Sequence, residues 1–73
     1  NHHVNNRQYV QMATEYLPHM ESEIKELRAE YRKQAVLGDK IIPVVYTVNS
    51  KEIVVALDGE DQKPFAVVQF FLR

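Results

Sequence analysis

From Asn6 to Met20 the apolar residues recur at helical spacing. Tyr9, Val10, Met12, Ala13, Tyr16, Leu17 and Met20 fall to one side, and Arg7, Gln8, Gln11, Thr14 and Glu15 to the other. The spacing predicts an amphipathic helix over residues 6–20. Asn5 or Asn6 can cap it, because a short amide oxygen there accepts from the unpaired N–H groups of the first turn. Pro18 has no donor and disfavours the α conformation at Leu17, so the regular helix should fray or stop near it.

Beyond residue 22 the period drops to two. In "EIKELRAEYRKQ", Leu27, Ala29 and Tyr31 share one face while Glu26, Arg28, Glu30 and Arg32 share the other. This predicts a half-buried strand whose charged face is solvated and paired across strands. "VLGD" reads as a turn, and "KIIPVVYTVNS", "KEIVVALDG" and "KPFAVVQFFLR" as three more strands, with "NSKE" and "DGEDQK" as hairpin connections. Links this short favour antiparallel neighbours. Pro43 cannot donate to a ladder and belongs at an edge or bulge. The last three strands carry apolar residues on both faces, for example Ile53 and Val55 against Val54 and Ala56. One helix covers one face of such a sheet, so the other requires a second layer: another domain, a second subunit or an acyl-like ligand. The pattern as a whole is α+β, one long helix packed on a four-stranded antiparallel sheet.

Composition narrows the function classes. Hydrophobic residues make up 45% of the 73 positions and charged ones 26%, an ordinary globular balance. A chain of this size hides only about 60% of its unfolded surface, which again favours a partner. A net charge of -1 lacks the positive field on which non-specific nucleic-acid binding relies. With no cysteine there is no thiolate nucleophile, thiolate metal site or disulfide framework, so any chemistry rests on His, carboxylate, amide or hydroxyl groups. No apolar run has the length of a membrane span, and no leader resembles a signal peptide; a soluble, cytoplasmic protein is the expectation. The first residue is not Met, and a motif-like stretch begins at position one, which suggests a piece of a larger protein.

That stretch is "NHHVNNRQYV". In isolation its asparagines read as helix caps and its "HH" as a surface pair or tag remnant. His19 reads as a solvated residue or a partner of the helix C-terminus. Nothing in the spacing of the three histidines calls for a metal. Tyr9, Met12, Tyr16 and Met20 read as core, or as the lining of a gap in that core.

Taken together, Asn1, His3, Val4, Asn5, Asn6 and Tyr9 resemble the Asn-x-His-Val-Asn-Asn-x-x-Tyr motif of the acyl-acyl-carrier-protein thioesterases, which stands at the start of a long helix. The resemblance implies a hot-dog fold, with residues 1–73 forming one unit that lacks its first strand, within a protein that usually carries two such units in tandem. It implies hydrolysis of fatty acyl thioesters without cofactor or metal, and Asn1 and His3 as catalytic residues. An Asp that usually stands two residues before the Asn would lie upstream. The family's Glu-Tyr-Arg-Arg-Glu-Cys run aligns with Glu30, Tyr31, Arg32 and Lys33, placing the catalytic Glu at Gln34 and the Cys at Ala35. Glutamine cannot act as a general base. Simple alternation also puts Gln34 on the face of Arg32, so it reaches the site only if a bulge near Lys33 turns the strand.

The chemistry is consistent with these residues. His3 can take a proton near neutral pH, Asn1 can orient the imidazole, water or carbonyl, and backbone N–H groups from Val4 to Arg7 can face an oxyanion. The partners implied are an acyl carrier protein bearing the thioester and a second hot-dog unit or second copy. Arg7, Arg28, Arg32 and Lys33 are candidates to meet the acidic carrier. The rival reading is a non-catalytic module that binds an acyl chain or a protein, with Gln34 as its signature. A coenzyme A thioesterase of the same fold is a third.

Overall fold

Asn5 decides where the helix begins. In the computed structural model, which describes residues 4–17 and 23–73, its side chain accepts from Gln8 N–H (3.1 Å), and the Gln8 side chain accepts from Asn5 N–H (2.9 Å). This reciprocal capping box satisfies two first-turn donors, and removing such a cap costs about 1 kcal/mol. Of the two asparagines proposed for the role, Asn5 caps and Asn6 is the first helical residue.

The helix, α1 (Asn6–Thr14), is nine residues long. The expectation of a long helix reaching residue 20 is therefore corrected. After Thr14 the hydrogen bonds tighten to i−3, from Glu15 to Met12, Tyr16 to Ala13 and Leu17 to Thr14. The residue before a proline is pushed out of the α region, so Leu17 cannot continue the helix and the turn before it narrows. Met20, His19 and Pro18 lie outside the described residues.

Four strands follow: β1 (Ile24–Tyr31), β2 (Ile42–Asn49), β3 (Glu52–Asp58) and β4 (Pro64–Leu72). All pairings are antiparallel and the spatial order is β1-β4-β3-β2. β2, β3 and β4 are hairpin neighbours, as their short links require. β1 and β2 are not neighbours: β1 pairs with β4 and lies at the opposite edge. The "VLGD" turn is present, with Asp39 N–H bonded to Val36 carbonyl (3.0 Å) and Gly38 at a φ of 99° that suits glycine. It redirects the chain across the sheet end instead of closing a hairpin. Pro43 sits on edge strand β2, where a missing donor is tolerated.

The core lies between α1 and the two central strands. Tyr9, Ala13 and Leu17 meet Ile53, Val55 and Leu57 of β3 and Ala66, Val68, Phe70 and Leu72 of β4. Register puts Val55 opposite Val68 and Ile53 opposite Phe70, so alternation on both strands presents one apolar face to the helix. Leu27, Ala29 and Tyr31 share that face, opposite Phe70, Val68 and Ala66, but Leu27 and Tyr31 on this edge strand stay partly exposed. On the other face of the sheet, Val44, Val54 and Val67 are half-buried while Ile42 and Tyr46 are exposed. No described helix is long and apolar enough to cross a membrane.

The charged face of β1 is solvated but its pairing differs from expectation. Arg28 bonds Glu26 (2.7 Å) and Arg32, just past the end of β1, bonds Glu30 (2.8 Å), both two residues apart along the chain. The neighbour β4 supplies Val67 and Gln69 opposite Glu30 and Arg28, with no acid to pair across. Residues i and i+2 share a face, so the partners come from the same strand.

Candidate functional site

The site is assembled where the approach to α1 meets the chain leaving β1. Val4 N–H donates to the Ala35 carbonyl (3.0 Å), and the Gln34 side-chain Nε2 donates to the Val4 carbonyl (3.2 Å). Consecutive residues 34 and 35 thus hold Val4 by both its backbone groups. A carbonyl partner also settles the orientation of the Gln34 amide, since only its nitrogen can donate.

Tyr9 closes the arrangement from below. It is buried, and its hydroxyl accepts from Ala35 N–H (2.8 Å). A buried donor left unpaired costs about 1–3 kcal/mol, so this contact pins residue 35 to the helix. The Tyr9 and Tyr31 rings lie 6.0 Å apart at 44°. Above them is a cleft of about 200 Å³ lined by Asn6, Tyr9, Tyr31, Arg32, Lys33 and Gln34.

Gln34 reaches the cleft because β1 ends in a two-against-one arrangement. Arg32 N–H and Lys33 N–H both donate to the Phe65 carbonyl, at 2.8 and 3.3 Å. That is the local geometry of a bulge, which alternation alone would not produce. Two of the amides considered as oxyanion donors are committed elsewhere: Val4 N–H to Ala35 and Asn5 N–H to Gln8. Asn6 and Arg7 remain, as first-turn amides that a helix leaves to outside partners.

The charges around the cleft are largely paired. Lys33 Nζ bonds Asp61 (2.9 Å) and stands 4.7 Å from the centroid of the Phe65 ring. The Lys33 ammonium, with help from Lys63 N–H, holds the Asp61 carboxyl below its ordinary value. Arg28, Arg32 and Lys33 each face an acid, which dilutes the basic surface considered for a carrier protein. The Lys33–Asp61 contact was missed in the sequence because its partners stand 28 positions apart with no local pattern joining them.

Asn1 and His3 lie outside the described residues, as do His2 and His19. Among the described residues no cluster of His, Cys, Asp and Glu is arranged to hold a metal. A larger depression of about 450 Å³, beside Ile42, Val44 and Tyr46, opens on the other face of the sheet, away from Gln34.

Comparison with known families gives one decisive result. Residues 1–63 match the family described as the acyl-ACP thioesterase C-terminal domain. The chain belongs to that family. No curated protein and no solved structure shows significant similarity to it. The family match ends at Lys63, one residue before β4, although β4 pairs with both β1 and β3 and supplies much of the core. Among the described residues of the opening stretch, Val4 is docked on residues 34 and 35, and Asn5, Asn6 and Tyr9 form the cap, the start and the buried face of α1.

Proposed function

We propose that this protein hydrolyses fatty acyl-acyl-carrier-protein thioesters to free fatty acid and carrier-protein thiol, in a cytoplasmic setting and without cofactor. Its residues 1–73 are read as one hot-dog unit lacking the first strand, within a tandem protein whose second unit, or a second copy, covers exposed apolar surface. His3 takes the proton of a water that attacks the thioester carbonyl. The C–O bond forms, the charge moves to the carbonyl oxygen, and the C–S bond then breaks as His3 returns the proton to the thiolate. Asn1 orients the imidazole or the carbonyl, and first-turn amides face the oxyanion.

The observation that carries this reading is the double anchoring of Val4 by Gln34 and Ala35. Val4 directly follows His3 in the chain, and the resemblance implies that residues 34 and 35 stand where the family carries Glu and Cys. Residue 34 is a glutamine here, which supports a role in orientation rather than proton transfer.

The rival reading, a non-catalytic acyl-binding or protein-interaction unit, draws support from the same glutamine, because its amide cannot accept a proton and one N–H already serves the backbone. A coenzyme A thioesterase differs only in the thiol. The test is His3→Ala in the full-length protein, assayed on palmitoyl-acyl-carrier-protein and palmitoyl-coenzyme A. Turnover of the carrier substrate should fall by about 10²-fold or more with the melting temperature retained, the usual scale of general-base catalysis. Unchanged turnover in a folded variant would sink the catalytic reading in favour of the binding unit.

A further inference from the structure

Gln34 reaches Val4 only because the chain turns at the end of β1, and its neighbour Lys33 is held there by three contacts. Lys33 N–H shares the Phe65 carbonyl with Arg32 N–H. Lys33 Nζ reaches both Asp61 oxygens, at 3.1 and 2.9 Å. The same ammonium lies over the Phe65 ring. All three anchors belong to the β3–β4 connection or the first residues of β4.

That connection is itself built to hold the acid in place. Asp61 Oδ1 accepts from Lys63 N–H (3.1 Å), Gly59 N–H bonds the Lys63 carbonyl (2.9 Å), and Gln62 N–H bonds the Gly59 carbonyl (3.0 Å). Gln62 takes a φ of 67°, an uncommon conformation for a side-chain-bearing residue that closes the turn. Gly59 leaves the room required: a Cβ there would lie 3.0 Å from Asp61 Oδ1 and 3.2 Å from a Phe65 ring carbon. The turn therefore brings a carboxylate and an aromatic face to one lysine.

We propose that Lys33 and Asp61 form a positioning latch, which fixes the bulge at the end of β1 and so holds the Gln34 amide against Val4 in the cleft. An exposed ion pair contributes little to folding. Its effect is directional: Lys33 is the residue before Gln34, and releasing its side chain leaves the bulge held by the two backbone bonds to the Phe65 carbonyl alone, the longer of them 3.3 Å, so that Gln34 shifts part of the time toward the face of Arg32. Lys33 and Asp61 act through Gln34 and touch no reacting atom. The kinetic consequence rests on the proposed thioesterase reading, whereas the structural consequence does not.

The test uses the full-length protein with Asp61→Ala, Asp61→Glu and Lys33→Ala, each also combined with Gln34→Ala. The Gln34 side-chain amide signal in a ¹⁵N NMR spectrum is identified by its loss in Gln34→Ala. Asp61→Ala and Lys33→Ala should shift that signal, Asp61→Glu should largely restore it, and the melting temperature should move by only a few degrees. On palmitoyl-acyl-carrier-protein, Asp61→Ala should lower kcat about tenfold with KM retained, in keeping with the sensitivity of turnover to small misplacements. It should cause no further loss in the Gln34→Ala background. An unmoved amide signal, or an equal fall in kcat in both backgrounds, overturns the latch. If the unmodified protein hydrolyses no thioester, the proposed function fails, and the NMR comparison alone decides the latch.

Discussion

Strands β2 and β3 are hairpin partners that each carry an isoleucine and a Val-Val pair, "IPVVYTVN" beside "EIVVALD", yet they live in different environments. Val55 and Leu57 are fully buried, whereas Val45 is 43% exposed. Val45 pairs directly with Val55 and lies on the same face. The difference comes from position: β3 lies between two strands and beneath α1, while β2 is an edge that the nine-residue helix does not reach. A valine's burial is thus set by what stands beside and above its strand as well as by the alternation of the strand itself. The exposed backbone edge and apolar side chains of β2 are also what a pairing partner would cover.

The largest expected effect tests this contrast directly. Phe70→Ala, which empties a fully buried site, should cost about 3–5 kcal/mol in urea unfolding. Val45→Thr should stay within about 0.5 kcal/mol, as surface changes usually do. A comparable loss at Val45 would mean that β2 is covered in solution, and a dependence of that loss on protein concentration would identify the cover as a second copy.

A smaller effect is expected where the buried region meets the cleft. Tyr9→Phe keeps the ring in the core but removes the acceptor of Ala35 N–H. Stability should fall by about 1–3 kcal/mol, and hydrogen exchange at Ala35 should accelerate. Slow exchange at Ala35 in the variant would show that the hydroxyl contact is dispensable.

The smallest effect belongs to the exposed rim. The Asp61 carboxyl is held below its ordinary value of 3.8, first by Lys33 and then by Lys63 N–H. A depressed folded-state value stabilises the protein above the unfolded value, and the contribution disappears as pH falls through the folded one. The unfolding midpoints of the parent protein and Asp61→Asn should therefore differ slightly near pH 7, and the gap should close as the pH falls below 3.8. A constant gap down to pH 2 would rule out the ion pair as its source.

The elements themselves were legible in the sequence. The change of period near residue 22 separates helix from strands, the "VLGD" and "DGEDQK" turns fall where expected, and Pro43 marks an edge. These features depend on residues within a few positions of one another. The strand order did not follow from short links, because β1 finds its partner in β4 through cross-strand packing of Leu27 and Ala29 opposite Phe70 and Val68. Ion pairing on β1 was placed across strands, but it runs along the strand because β4 offers no acid opposite.

The candidate site divides in the same way. The six motif residues from Asn1 to Tyr9 pointed to the acyl-ACP thioesterase family, and the family match over residues 1–63 agrees. What places Gln34 beside Val4 is a tertiary decision: a bulge anchored on Phe65, a lysine held by Asp61 and a tyrosine hydroxyl holding Ala35. By itself the sequence determined that a cap stands at Asn5 or Asn6, the strand periodicity and the family, since each is written in local spacing and residue chemistry. The order of the strands, the exposure of β2 and the turn that brings residue 34 to residue 4 came from the tertiary structure, because each depends on contacts between residues far apart in the chain.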